Sequence, residues 1–89
     1  MSKLFHLEIL VPDRTLFAGD AVSLVAPGES GYLGILVDHA PLITTLLSGK
    51  ITFRNPAGSE AVLNAKGGGF MEVYKNNVTI LLDGVQEPA

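Results

Sequence analysis

The sequence predicts an all-β domain, folded as an antiparallel two-sheet sandwich or flattened barrel of about ten short strands. Apolar and polar residues alternate with a period of two through most of the chain, as they do in half-buried strands. Clusters of Gly, Pro, Asn and Asp interrupt this alternation about every 6 to 12 residues. The 89 residues suffice for one domain. We therefore expect a single domain over residues 1–89, with residues 85–89 as a loose tail.

The first half of the chain contains four segments with strand-like patterns. They are residues 5–11, 15–17, 21–26 and 32–37. Pro12 ends the first segment because proline has no amide to donate to a ladder, and Pro41 lies just beyond the fourth. Residues 42–47 are the only segment with helical character, but they are too few and too β-branched to predict a helix.

The second half repeats the strand pattern with clearer turns. Its predicted strands cover residues 50–54, 60–65, 70–74 and 78–82. Residues 55–58 read Asn-Pro-Ala-Gly, which suits a type I turn. The run Gly67–Gly69 predicts a bulge or a sharp corner, and Asn76 with Asn77 predicts a two-residue hairpin turn.

The composition favours a binding partner over nucleic acid or disulfide chemistry. Apolar residues make up 47% of the chain and charged residues 17%, whereas about 25% charged is usual. A small domain with this excess is expected to expose apolar surface, which usually marks an interface. A sandwich merely rich in Val, Leu and Ala is the alternative. The net charge of −3 and singly spaced basic residues disfavour nucleic acid, and the lack of cysteine excludes disulfides and thiolate zinc sites.

Neither a secretory signal nor a membrane span is predicted. The first residues lack the charged and then apolar pattern of a signal peptide, and the apolar runs fall far short of the ~20 residues that a span requires. We expect a soluble protein that stays in the compartment where it is made.

Three glycines spaced by three suggest a phosphate loop, but the motif fails. Gly28, Gly31 and Gly34 do not match the dinucleotide pattern, and Gly49-Lys50 is followed by Ile51 where a P-loop needs Ser or Thr. These three glycines are predicted to be turn residues with positive φ.

No catalytic residue, cofactor or metal ligand is predicted. Asp38 beside His39 suggests a general base, but neighbours on an extended chain point to opposite faces. The serines lack a nucleophile-elbow pattern, and two histidines far apart make a poor metal site. An enzyme is thus the third candidate, after a partner-binding domain and a small barrel that binds a ligand or sugar. A large apolar cavity would favour the barrel.

Six blocks in order carry a resemblance to a known family. They are residues 5–9, 16–19, 27–36, 39–42, 67–73 and 77–81. In order and spacing these blocks resemble the epsilon subunit of the bacterial and chloroplast rotary ATP synthase. The resemblance implies a ten-stranded β sandwich at the foot of the central stalk, which is non-catalytic and links the gamma subunit to the membrane c ring. It also implies a peripheral location on the cytoplasmic face of the inner or photosynthetic membrane.

The resemblance also assigns two contact surfaces. On the gamma side they are Val11, His39, Ala40, Pro41, Leu42 and Thr44. On the c-ring side they are Glu29, Ser30, Gly31 and Tyr32.

The chain departs from the family pattern in three places. The family usually has Gly where Asp38 stands and an acidic or polar residue where Tyr32 stands. Typical members also continue into a helical hairpin that can inhibit ATP hydrolysis and, in some, bind ATP, whereas this chain stops at Ala89. We therefore expect no hairpin-type inhibition and no ATP binding.

Overall fold

Eight β-strands and no helix make up residues 3–86, the part of the chain that the computed structural model describes. The strands are β1 (Phe5–Val11), β2 (Arg14–Ala21), β3 (Ser23–Gly28), β4 (Gly31–Leu36), β5 (Leu42–Leu46), β6 (Gly49–Arg54), β7 (Glu60–Tyr74) and β8 (Asn77–Val85). The all-β prediction is confirmed. Within the described residues the count is eight rather than about ten. Two of the eight segments predicted from the sequence join in β7, which runs unbroken through the glycine run, and β5 is an additional strand.

The strands form two layers that share β7. One layer has the order β2-β1-β8-β7-β5, and β4, β3 and β6 build the other. The first half of β7 pairs with β6 from residue 60 to 65, and the second half pairs with β5 from residue 69 to 73. The ladders are antiparallel except that between β1 and β8, which is parallel. The predicted antiparallel arrangement thus holds except in this one ladder, because residue alternation does not reveal which strands become neighbours.

The glycine run in β7 is a bulge at which two backbones approach closely. The register of β7 against β8 shifts between Lys66 and Gly69, as the sequence predicted. A Cβ on Gly68 would lie 2.5 Å from the carbonyl oxygen of Leu46, and one on Gly69 would collide with the carbonyl oxygen of Leu81. Only glycine leaves room for both neighbouring strands.

The space between the layers is filled by sixteen buried apolar side chains. They are Phe5, Leu7, Ile9, Ala21, Leu24, Ala26, Ile35, Leu46, Ile51, Phe53, Ala65, Met71, Val73, Val78, Ile80 and Leu82. Among residues 3–86, no polar or charged side chain is buried. The alternation of apolar and polar residues in the sequence thus corresponds to an apolar interior and a surface that carries both polar and apolar side chains. A packed interior gives no support to the ligand-binding barrel, which would require a large internal cavity.

Two predicted hairpin turns have different outcomes. The turn at residues 55–58 is confirmed, because the amide of Gly58 donates a 3.0 Å hydrogen bond to the carbonyl oxygen of Asn55. The β7–β8 turn lies one residue earlier than predicted. Lys75 and Asn76 are its central residues, with φ of 48° and 60°, and Asn77 already pairs with β7. Two successive positive φ values define a type I′ turn, in which Asn is favoured but a lysine is tolerated.

Two further segments form more strand than the sequence predicted. Residues 42–46 are β5, because pairing with β7 decides their conformation. Val85 belongs to β8 and pairs with Ala65, and the amide of Gln86 donates to the carbonyl oxygen of Asn64 at 2.9 Å. The expectation of a loose tail is therefore wrong for residues 85 and 86. Residues 87–89 lie outside the described part of the chain.

Candidate interaction surfaces

The outer side of β5, β7 and β8 carries large apolar side chains that face solvent. We call this set the apolar face; its members are Ile43, Phe70, Tyr74 and Leu81. Their exposed fractions are 75%, 58%, 53% and 51%, respectively. Such exposure is costly for large apolar groups, so a contiguous set of them indicates an interface.

The strand register brings these side chains together. Phe70 lies opposite Leu81 across the β7–β8 ladder, and Ile43 lies opposite Glu72 across the β5–β7 ladder. A shallow depression runs between them; it is lined by Ile43, Phe70, Met71, Glu72, Thr79 and Leu81. The apolar face is therefore one continuous patch with a single carboxylate, that of Glu72, near its middle.

Three residues predicted for the gamma side border the apolar face. Pro41 and Leu42 line one neighbouring depression together with Ile43 and Tyr74. Val11 lines another, together with Phe70 and Leu81. The structure thus brings Val11 and Pro41 to different margins of the same patch.

The two gamma-side residues on β5 are less exposed than Ile43, which lies between them. Leu42 and Thr44 are half-buried and lie opposite Val73 and Met71, which point into the core. Leu42 also packs against the core cluster. Because side chains alternate along a strand, the residue between them, Ile43, is the one that faces outward.

The remaining gamma-side residues precede β5. His39 is half-buried, with its Nδ1 atom 2.6 Å from the carbonyl oxygen of Ala40, and Ala40 is exposed. The amide of His39 donates to the carbonyl oxygen of Leu36 at 3.2 Å. These bonds are local to the β4–β5 connection.

Asp38 is not on an extended segment, contrary to the sequence-based expectation. Its φ is 64°, in the left-handed region, where Asp is among the few non-glycine residues tolerated. Its amide donates to Oδ1 of Asn76 at 2.7 Å, and Nδ2 of Asn76 donates to Oδ1 of Asp38 at 2.7 Å. The carboxylate is thus engaged with the β7–β8 turn, where it does not orient His39 for acid–base chemistry.

The predicted c-ring residues form the β3–β4 hairpin tip and the start of β4. Glu29 and Ser30 make the turn, and Gly31 begins β4 with a φ of 127°. Tyr32 is 59% exposed, and its hydroxyl oxygen accepts a 3.3 Å hydrogen bond from the amide of Lys50. This contact holds an aromatic ring at the edge of the hairpin.

The three glycines of this region do not share one role. Only Gly31 has a positive φ, so the expectation that all three adopt one is wrong for Gly28 and Gly34. Gly34 pairs with Val25 in mid-strand, and a Cβ there would meet nothing within 4 Å. Gly28 lies where an added Cβ would be 3.0 Å from the carbonyl oxygen of Gly31.

The two surfaces lie at opposite ends of β4. The Glu29–Tyr32 segment is at its beginning, and the connection that carries His39 to Pro41 follows its end. Six residues of strand span about 17 Å at 3.3 Å per residue. One rigid element therefore separates the two candidate contact regions.

Neither a metal-ligand cluster nor a membrane-spanning helix occurs among the described residues. Within residues 3–86, no group of three or more His, Asp or Glu side chains is arranged to hold a metal ion. The same residues include no helix with the length and hydropathy needed to cross a membrane.

A cation lies beside the apolar face, because Nζ of Lys75 is 5.4 Å from the ring centroid of Tyr74.

Comparisons with known proteins agree on one family. The sequence pattern described as the beta-sandwich domain of the ATP synthase Delta/Epsilon chain matches residues 4–88. The ATP synthase epsilon chain of Dichelobacter nodosus is 47% identical over 83 residues, which are 93% of this chain and 57% of that protein. The epsilon chain of Caulobacter vibrioides is 39% identical over 89 residues, which are all of both chains.

The fold is also found in a solved assembly. A chain in the cryo-EM structure of the Euglena gracilis mitochondrial ATP synthase, OSCP/F1/c-ring, superposes with a TM-score of 0.89 at 17% identity, over 97% of this chain and 54% of that one. This chain spans 56% to 58% of the length of the first three curated relatives that it matches. The matched pattern covers almost the whole sequence, so the chain belongs to the ATP synthase delta/epsilon family and contains its beta-sandwich domain.

Proposed function

We propose that this chain is a central-stalk subunit of the rotor of a proton-translocating ATP synthase. In this role it links the gamma subunit to the membrane c ring and helps couple ion flow to ATP synthesis. Its relatives are named ATP synthase epsilon chains, and the Euglena assembly that contains its fold includes F1 and the c ring. The observation that carries the proposal is the exposed apolar face on an otherwise well-packed sandwich.

The apolar face, together with Pro41 and Val11, is the proposed gamma-binding surface. Burial of a large apolar side chain is worth about 1.5–3 kcal/mol relative to exposure. Ile43 and Phe70 are the most exposed of the large apolar residues in this patch and lie at its centre. They are the proposed anchors, with His39 and Ala40 beside them.

The β3–β4 hairpin tip is the proposed c-ring contact. Glu29 and Ser30 present polar groups, and Tyr32 presents an aromatic ring with only two free side-chain torsions. An aromatic residue buries a large area at low entropic cost, so Tyr32 suits an interface in place of a carboxylate.

The proposed role is mechanical and involves no covalent chemistry. Rotation requires a body that transmits force between two contacts without deforming. Strands that share β7 between both layers meet this requirement, because a shear of one layer would break hydrogen bonds in the other. We place the subunit at the periphery of the membrane on its cytoplasmic face and expect no ATP site in residues 1–89.

A binding assay with matched variants tests the gamma surface. Ile43→Glu places a charge at the centre of the apolar face, and Val62→Glu makes the same change at an exposed position in the other layer, on the half of β7 that pairs with β6. Affinity for the purified gamma subunit is measured by calorimetry at moderate salt. We expect Ile43→Glu to weaken binding at least tenfold and Val62→Glu to leave it unchanged. Equal affinities for both variants would contradict the assigned surface.

Ile43 is a better position than Leu42 for a charged substitution that tests this surface. A charge at Leu42 would enter the core as well as the interface, because its side chain packs against the core cluster. A change at Ile43 leaves the core intact, since 75% of that residue is already exposed.

A further inference from the structure

The residues Asp38 and Asn76 join two turns that are 38 positions apart in the chain. We call this pair the clasp. It consists of two hydrogen bonds of 2.7 Å, one from the amide of Asp38 to Oδ1 of Asn76 and one from Nδ2 of Asn76 to Oδ1 of Asp38. The donors and acceptors are reciprocal, so each residue supplies both one donor and one acceptor. Two bonds of this kind fix both distance and orientation between the turns.

The clasp is built from two residues in a conformation that side chains rarely adopt. Asp38 has a φ of 64° and Asn76 a φ of 60°. A non-glycine residue in this region costs free energy unless its surroundings favour it. The side chains of Asp38 and Asn76 make a positive φ costly, but they also form the hydrogen bonds of the clasp. The positive φ values place these side chains for bonding, and the bonds in turn stabilise the positive φ values.

Asn76 also ties the clasp to the body of the sandwich. Its carbonyl oxygen accepts a 2.8 Å hydrogen bond from the amide of His6 in β1. The β7–β8 turn is therefore hydrogen-bonded to β1 on one side and to the β4–β5 connection on the other. Without the clasp, the connection keeps the 3.2 Å bond from the amide of His39 to the carbonyl oxygen of Leu36.

The β4–β5 connection, which contains Asp38, leads directly to the proposed gamma surface. His39, Ala40 and Pro41 follow Asp38, and Pro41 lines a depression with Ile43 and Tyr74. Tyr74 immediately precedes the turn that contains Asn76. The clasp thus holds the Pro41 margin of the apolar face in place relative to β7, the strand that carries Phe70.

We propose that Asp38 and Asn76 are a positioning pair that holds residues 39–41 in the conformation that the gamma subunit binds. This inference rests on the proposed function. Ordering a loop on binding lowers affinity, and a loop that is ordered beforehand avoids this loss. Disruption of the clasp is therefore expected to reduce affinity through a lower fraction of binding-competent molecules.

Variants that exchange Asp and Asn at positions 38 and 76 distinguish loss of the clasp from a general effect of substitution on the fold. Asn76→Asp removes the donor to Asp38 and places two carboxylates together. Asp38→Asn keeps an oxygen acceptor for Asn76, so it preserves the clasp. The double variant Asp38→Asn with Asn76→Asp keeps the bond from the backbone amide of residue 38 and restores the side-chain bond in the reverse direction, with residue 38 as the donor. Asn64→Asp adds a negative charge at an exposed residue on the half of β7 that pairs with β6, and is the control for charge.

The first measurement is the affinity of each full 89-residue variant for the purified gamma subunit of the same synthase, by surface plasmon resonance. Asn76→Asp should weaken binding about 3- to 10-fold, mainly through slower association. Asp38→Asn, Asn64→Asp and the double variant should bind within about twofold of the parent chain.

The second measurement is backbone NMR relaxation of His39 and Ala40 in the unbound chain. Order parameters should fall from about 0.85 towards 0.6 in Asn76→Asp and recover in the double variant. Asn76→Asp binding as tightly as the parent, or a double variant as weak as Asn76→Asp, would overturn the positioning role while leaving the proposed function intact. A parent chain that does not bind the gamma subunit would overturn both.

Discussion

Phe17 and Phe53 join the two layers of the sandwich at one point of the core. Their ring centroids are 4.5 Å apart, with an interplanar angle of 49°. Phe17 belongs to β2 at the edge of one layer, and Phe53 belongs to β6 in the other. Tilted aromatic pairs at this distance add about 0.5–1.5 kcal/mol to the effect of burial. This pair therefore secures an edge strand that has only one neighbour in the sheet order.

We predict that Phe53→Ala destabilises the domain more than Phe17→Ala. Phe53 is 5% exposed, so its removal leaves a cavity and should cost about 3–5 kcal/mol. Phe17 is only partly buried, so its removal should cost about half as much. Urea unfolding followed by circular dichroism measures both. Exposed Val25 provides the control, since Val25→Ala should change the free energy of unfolding by less than about 1 kcal/mol. A smaller effect for Phe53 than for Phe17 would contradict the assigned packing.

A second prediction concerns the close approach of β7 and β8. Gly69→Ala should destabilise by about 3 kcal/mol or more, because the new methyl group would collide with the carbonyl group of Leu81, which is backbone and cannot rotate away. Gly84→Ala is the matched control in the same ladder. There the nearest atom to an added Cβ is the carbonyl oxygen of Lys66 at 3.8 Å. The control should unfold within about 1 kcal/mol of the parent chain. Thermal unfolding of both variants decides the matter, and equal midpoints would refute the close approach.

The sequence predicted the all-β fold because alternation records burial directly. Phe5, Leu7 and Ile9 read as one face of a strand and are all buried. Alternation does not record partners, so the parallel β1–β8 ladder was missed. Residues 42–47 were assigned to neither a helix nor a strand, because pairing with β7 is a tertiary effect that local propensity does not contain.

The sequence named only part of the candidate gamma-side surface for the same reason. Resemblance to a family named residues 39–42 and 44 as one group, but it could not tell which side chains face outward. Ile43 was missed, although it lies between Leu42 and Thr44 and has the opposite orientation. The clasp was missed too, because Asp38 and Asn76 are separated by 38 positions, and neither the departure from Gly at Asp38 nor the turn predicted at Asn76 identifies the other residue as its partner. The signal that could have drawn attention to them is that Asp and Asn are the side chains most tolerant of positive φ.

A third prediction concerns the salt dependence of gamma binding. The proposed surface is mainly apolar, so the dissociation constant should change by less than about tenfold between low and high salt. Glu72 would become buried in the interface, and a buried carboxylate requires a cationic or hydrogen-bonding partner. Glu72→Gln should therefore weaken binding, and most of this loss should persist at high salt, because a buried charge pair is screened much less than an exposed one. Ile43→Ala should weaken binding equally at low and high salt. Titrations at several sodium chloride concentrations compare the variants, and a steep salt dependence for Ile43→Ala alone would argue against an apolar interface.

The last prediction concerns the independence of the two surfaces, whose Glu29–Tyr32 and His39–Pro41 segments lie at opposite ends of β4. Tyr32→Ala removes the exposed ring that lies beside Gly49 and Pro27 at the hairpin end. It should reduce affinity for detergent-solubilised c ring by about tenfold, as loss of an aromatic anchor usually does, and leave gamma binding unchanged. Ile43→Glu should have the reverse effect. Tyr32→Phe is the conservative control, because it keeps the ring and removes only the acceptor for the amide of Lys50, which can bond to water instead. If Tyr32→Ala weakened binding to the gamma subunit and the c ring equally, the two contacts would share a surface, and a rigid body that transmits force from one to the other would no longer be the correct description.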